Sequence, residues 1–262
     1  GQRLIVHTGG AGDEGSLLLL DAEGRRAGRS LPRPGLFQSP GFAPDGRGWA
    51  FAELDILTTT QVVIARQGSR LRTVAGYMGV AALGWSPTGQ AVAFSSPRSP
   101  ARHCYGPLTL VDVESERRRL LVNDTVLAFF WSPDGRSIAY VTFEGVIRER
   151  VRPASVQREG NGASTEPDPP LTETISLALW VVDVATGASR RLLAFQPLPL
   201  FINQFLPFFD QYAHSHRIWS PDSDAIVLPA LGVAGPQILV VPTGADPPRT
   251  LVSGIMAFWS QN

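Results

Sequence analysis

Four histidines occur in the chain, and two of them, His214 and His216, stand two apart. On an extended strand, residues i and i+2 share a face, so the pair points one way. A His-x-His pair chelates zinc once a third and usually a fourth ligand joins it. Asp210, His103 and Glu144 are the candidates that lead toward the same end of the fold. Nothing in their spacing joins them to the pair, so hydrogen-bonded structural histidines are the plainer reading and no metal or cofactor is assigned. His7 reads as a packed strand residue. No Gly-x-Ser-x-Gly elbow occurs, and no serine sits in a triad-like context. Asp112 and Asp183 end equivalent strands, where aspartate caps turns. A carboxylate pair for glycoside chemistry stays open, since such a pair can come from distant strands. Gly9-Gly10-Ala11-Gly12 lacks the strand-to-helix setting of a phosphate loop.

Composition narrows the classes further. The 262 residues carry 23 basic and 23 acidic side chains, which argues against a general binder of nucleic acid or anionic membranes. Every basic residue is arginine, which reads as coding bias. Cys104 is alone, so no intrachain disulfide forms. No run is apolar and long enough to span a bilayer. The chain opens at Gly1 without a methionine, so a removed N-terminal anchor or signal is an expectation.

The elements that must position these residues repeat. Trp131-Ser132-Pro133-Asp134-Gly135-Arg136 leads into Ser137-Ile138-Ala139-Tyr140-Val141, and Trp85-Ser86-Pro87-Thr88-Gly89 and Trp219-Ser220-Pro221-Asp222-Ser223 lead into similar runs. Phe42-Ala43-Pro44-Asp45-Gly46 is a degenerate copy. Each copy reads as a strand end, a tight turn and a strand start, with proline, aspartate and glycine suited to successive turn positions. Two further strands follow each copy as a hairpin, around Gln67-Gly68, Thr186-Gly187 and Thr243-Gly244 among others. Four antiparallel strands per copy make one propeller blade. Anchors recur roughly every 40–46 residues, except that Trp131 to Trp219 is about twice as long. One blade with insertions at 143–174 and 195–213 explains that interval, because no second turn signature occurs inside it. The chain ends on a strand-like run with its own Trp-Ser, Ile255 to Ser260, and begins on a second-strand run, Arg3 to Thr8. The expectation is an all-β, five-bladed β-propeller spanning 1–262 as a single domain, with the C-terminal strand 255–260 completing the N-terminal blade and closing the ring.

The Trp-Ser-Pro-Asp-Gly turn, with downstream strands such as Leu179-Trp180-Val181-Val182-Asp183-Val184-Ala185-Thr186-Gly187, resembles the TolB-like (WD40-like, PD40-type) propeller repeat. The resemblance implies a binding or scaffolding role, often in periplasmic or cell-surface proteins, and says nothing specific of activity. Five blades against the six of TolB itself is a departure, so no TolB-specific partner is carried over.

In a four-stranded blade, both insertions and the loop 95–107 emerge on one face, over blades three to five. Long loops on a rigid scaffold are where function sits. The first insertion is polar and charged, with Arg148, Glu149, Arg150 and a Gly/Pro-rich tip, and suits a flap or partner-ordered loop. The second is apolar: Leu198, Phe201, Phe205, Phe208 and Phe209 must bury themselves, cover the channel mouth or meet a partner. A short helix is expected at Leu200 to Phe209. The reading is a non-catalytic binding or scaffold propeller for a protein, peptide or glycan, not nucleic acid. Phe201, Phe205, Phe208, Phe209 and Tyr212 would give apolar contact, and Arg148, Asp210, His214 and His216 polar contact. The alternatives are a hydrolase or lyase with a His/carboxylate site at the channel mouth, and an extracytoplasmic sensor domain of a membrane-anchored protein.

Overall fold

The repeated turn is held by a buried serine. In the computed structural model, which describes residues 3–8, 16–27, 36–46, 48–54, 60–66, 72–77, 80–98, 104–150, 171–213 and 215–260, the Ser132 hydroxyl accepts the Ser137 N–H at 3.0 Å and donates to the Asp134 carboxylate at 2.6 Å. Ser86 and Ser220 accept the Ala91 and Ala225 N–H groups at 3.0 Å in the same way. Gly46, Gly89 and Gly135 take φ of 67°, 70° and 71°, the left-handed region where a Cβ is unfavourable, and Ser223 takes 62° at the matching place. Successive turns touch: the Asp134 N–H donates to the Ser223 hydroxyl at 3.1 Å.

Strands radiate from these turns. β3 (Leu36–Phe42), β4 (Gly48–Leu54), β5 (Thr60–Arg66) and β6 (Arg72–Tyr77) form a four-stranded antiparallel sheet, blade two. β7 (Ala82–Trp85), β8 (Ala91–Ser95) and β9 (Gly106–Asp112) lead blade three. The 14-residue β10 (Arg118–Trp131) pairs with β9 through its first half and with β11 (Ser137–Arg150) through its second. One strand is therefore the outer strand of blade three and the inner strand of blade four. With β12 (Leu171–Asp183) and β13 (Ser189–Phe195), blades three and four become one seven-stranded sheet. Blade five is β14 (Ala225–Gly232), β15 (Gly235–Pro242) and β16 (Arg249–Ser253), with its inner position marked by a single bridge, Trp219 to Ile226.

Two bonds repeat between blades. The indole N–H groups of Trp85, Trp131 and Trp219 donate to the carbonyls of Gly41, Gly84 and Phe130, at 3.1, 3.1 and 3.0 Å. The last of these makes blades four and five neighbours, so the long interval holds one blade with insertions. At the rim, Arg72 donates to the Val113 carbonyl at 2.6 Å, Arg119 to those of Val184 and Ala185, and Arg190 to those of Thr243 and Gly244. Each arginine is the first or second residue of an outer strand and reaches the next blade's hairpin turn. The apolar core fills the spaces between sheets, with Val92, Leu108, Ile138, Leu179 and Ile226 fully buried.

The first blade differs from expectation. β1 (Arg3–Thr8) and β2 (Ser16–Asp21) form a separate two-stranded sheet, and 255–260 is not a strand. The ring is not closed, and four blades and a hairpin are described rather than five complete blades. Both halves have other neighbours: the Trp259 N–H donates to the Arg217 carbonyl at 2.9 Å, while β1 lies beside β3. Phe258 is held by Phe205 and His216, with ring centroids 5.8 and 4.5 Å apart. The outer strand expected up to Leu31 lies partly outside the described residues.

The first insertion differs too. Residues 143–150 and 171–174, expected as loop, continue β11 and β12 in register from Gly145 opposite Ser176 to Arg150 opposite Leu171. β-Branched and threonine residues (Val146, Ile147, Thr172, Thr174, Ile175) favour that extended pairing. Residues 151–170 lie outside the described residues.

Candidate functional site

The second insertion builds the floor of the site. A helical stretch, 199–212, is π-like over Phe201–Phe205, 3₁₀ over Leu206–Phe208 and α over Phe209–Tyr212. Pro207 lacks an N–H, which interrupts regular helix at that point. Phe201, Phe205 and Phe209 are buried. Phe205 stacks on Phe130 (5.8 Å, 7°), and Phe209 meets Phe129 and Phe130 edge-on at 5.2 and 5.6 Å. These aromatics form a plug docked on the inner strand of blade four; Phe208, 46% exposed, points outward. The prolines and the i, i+4 spacing of Phe201, Phe205 and Phe209 are the sequence signal for this packing.

Above the plug lies a cavity of about 440 Å³ in the centre of the blades. Trp85, Trp131 and Trp219 wall it, and Pro44, Pro87 and Pro133 from the repeated turns line one end. Asp210, Ala213 and His216 line the other, where the plug stands. The helical plug thus stands at the end of the cavity away from the repeated turns. His216 lies edge-on between Tyr212 (5.0 Å) and Phe258 (4.5 Å), and its Nδ1 is 2.6 Å from the Ser215 hydroxyl. Among the described residues no group of three or more His, Cys, Asp or Glu side chains is arranged to hold a metal. His214 and His103 lie outside the described residues.

Cys104, Glu144, Asp112 and Asp183 do not line this cavity. Burial, with the nearby Asp210 carboxylate, pushes the Cys104 thiol up to about 11, so it stays protonated at neutral pH and is a poor nucleophile. Glu144 pairs with Arg191 at 2.8 Å on the outer strand instead of facing the histidines. Asp112 and Asp183 cap their turns: the Ser115 hydroxyl and N–H donate to Asp112 at 2.6 and 2.7 Å, and the Thr186 N–H and hydroxyl to Asp183 at 2.7 Å each.

Arg148 stands apart from the cavity. It lies on the extended part of β11 and pairs with Glu173 across the ribbon at 2.9 Å. Beyond Thr142 no strand flanks β11, and beyond Leu177 none flanks β12, among the described residues. The two form a free-standing arm projecting about 23 Å at 3.3 Å per residue. Phe143, Val146 and Ile175 are 54, 48 and 40% exposed on it. Its arginines and glutamates make this stretch look polar in the sequence. The β-branched residues Val146, Ile147, Thr174 and Ile175 were the signal for a strand pair.

Structural comparison finds propellers. TolB from Acinetobacter baumannii matches at 15% identity with a TM-score of 0.46, over 97% of this chain and 58% of that one. An oligogalacturonate lyase in complex with manganese matches at 16% and 0.52, over 88% and 55%. The β-propeller domain of the Trilobed protease from Pyrococcus furiosus, which has an open velcro topology, matches at 10% and 0.54, over 93% and 66%. The chain spans little more than half the length of the first two. No family model matches the chain, and no curated protein is significantly similar to it. The fold is that of a β-propeller, as in the Trilobed protease domain, and at these identities the likeness speaks to fold alone.

Proposed function

We propose that the chain is one five-bladed propeller domain that binds a protein or peptide partner without catalysis, through the long-loop face over blades three to five. The arm carries this reading. Paired strands with exposed apolar residues and open edges, held out from a rigid sheet, suit an extended segment that adds alongside. Arg148 would provide polar contact on the arm and Phe208 apolar contact on the plug. In this reading Phe201, Phe205 and Phe209 hold the plug, Asp210 and His216 stand at its cavity side, Tyr212 packs against Phe205 and His216, and His214 is offered as a further polar contact. The protein is taken to be extracytoplasmic, which fractionation of source cells against compartment markers tests.

The binding reading is tested by partner capture from source-cell extract. Val146→Asp with Ile175→Asp is expected to lower capture at least tenfold, with the melting temperature unchanged within a few degrees because both side chains are exposed. Undiminished capture by the double variant overturns it. One observation favours the enzyme alternative: Asp210 and His216 line the same cavity. Native mass spectrometry with and without a chelator addresses it, and a mass excess lost on chelation would revive a metal-dependent site.

A further inference from the structure

The arm has two open edges among the described residues, and only one of them is its own complement. Along the free part of β11 the exposed side chains are Glu144, Val146 and Arg148 in that order, an acid, an apolar residue and a base spaced by two. A second copy, running antiparallel about a two-fold axis at Val146, presents the same three residues reversed. Val146 then faces Val146 of the second copy, and each Arg148 faces a Glu144. β12 has no such symmetry: Glu173 is its only charged residue from Leu171 to Leu177, and no register offers it a cation.

Neighbouring contacts fit the same register. Residues 143–149 of the two copies overlap, and the overlap begins just past Thr142, the last β11 residue paired with β10. Within one chain Val146 lies opposite Ile175 and Arg148 opposite Glu173. A second copy therefore extends two rows across four strands. One is apolar, with Ile175 and Val146 continued by Val146 and Ile175 of the second copy. The other places Arg148 between Glu173 and Glu144 of the second copy. Arg148 donates to Glu173 through its Nε at 2.9 Å, and its other guanidinium nitrogens make no bond among the described residues. Glu144 is the extra residue of a bulge between Phe143 and Gly145, so no β12 residue stands opposite it. One of its carboxylate oxygens holds Arg191 at 2.8 Å, and the other makes no bond among the described residues. A Cβ on Gly145 would meet nothing within 4 Å, and this register sets Ile147 of the second copy beside that space.

We propose that the free β11 edge joins two copies of this chain through a continuous β12–β11–β11–β12 sheet. The proposal rests on the reading of the arm as a pairing surface and names the occupant of one edge; the β12 edge stays open to a different chain. The gain is physical. A two-stranded ribbon alone is marginal in water, and three or more strands are needed for independent stability. An open edge is also a row of unpaired backbone groups, which a second copy satisfies. The contact is short, so monomer and dimer exchange with concentration.

Sedimentation velocity of the purified protein over a range of concentrations is the first test, and a monomer–dimer equilibrium is expected. Val146→Asp sets two carboxylates face to face and should weaken dimerisation by about tenfold or more. Arg148→Glu and Glu144→Arg should each dimerise less alone and recover when mixed, since only the mixture pairs unlike charges at both seams. With Cys104 left in place, Val146→Cys should form a disulfide between copies, while Ile175→Cys, one strand further from the axis, should not. A monomer at every concentration with no Val146→Cys cross-link overturns the dimer, as does a dimer that Val146→Asp leaves intact. If the protein is monomeric but Val146→Asp with Ile175→Asp loses partner capture, another chain occupies the arm: the dimer falls and the binding reading stands. If the dimer forms and capture is undiminished, the dimer stands and the binding reading falls.

Discussion

Ser132 is buried in a turn whose other residues meet solvent, and its hydroxyl replaces water for the N–H of Ser137. Ser132→Ala leaves that donor without its side-chain partner and should cost about 1–3 kcal/mol in denaturant unfolding. The aspartates of the repeat act alongside it. The Ser115 hydroxyl and N–H hold Asp112 below the usual carboxylate range, and the Thr186 N–H and hydroxyl do the same for Asp183. For Asp134, burial pushes up, but the Ser132 hydroxyl and the Arg136 N–H outweigh it and the carboxyl also ends low. Groups lowered in the folded state stabilise above their unfolded value, and that stability is lost as pH falls through the folded one. Melting temperature should therefore fall below about pH 4, and Asp112→Asn should flatten the fall. Phe205 and Phe208 separate packing from surface: Phe205→Ala should destabilise by about 3–5 kcal/mol, and Phe208→Ala by less than about 1 kcal/mol, read by the same unfolding curves.

Among the elements, hairpins and turns were legible because their chemistry is local. The Pro-Asp-Gly turns and the Thr-Gly hairpins announce themselves within six residues. The single blade between Trp131 and Trp219 was legible from the lack of another turn signature, and the Trp219 indole bond to Phe130 agrees. The arm was not, because charged residues on one face of a two-stranded ribbon look like a polar loop. The plug was half legible: its aromatic content required burial, but whether it packed on the first insertion, on a partner or on β10 depends on where blade four stands. The arginine clasp went unread although Arg72, Arg119, Arg190 and Arg249 recur at one register position, since on a strand a charge usually marks only the solvent face.

For the whole molecule, the blade order followed from the spacing of anchors, while closure did not. Closure depends on two chain ends meeting, and no local residue pattern specifies what each end packs against first. Phe258 packs on Phe205 and His216, and β1 lies beside β3. The strand Arg118–Trp131 adds a mechanical consequence. It joins blades three and four in one seven-stranded sheet, with no loop between the outer strand of one and the inner strand of the next. A bend between these two blades has no loop to swing about and must instead distort the ladders on either side of the shared strand.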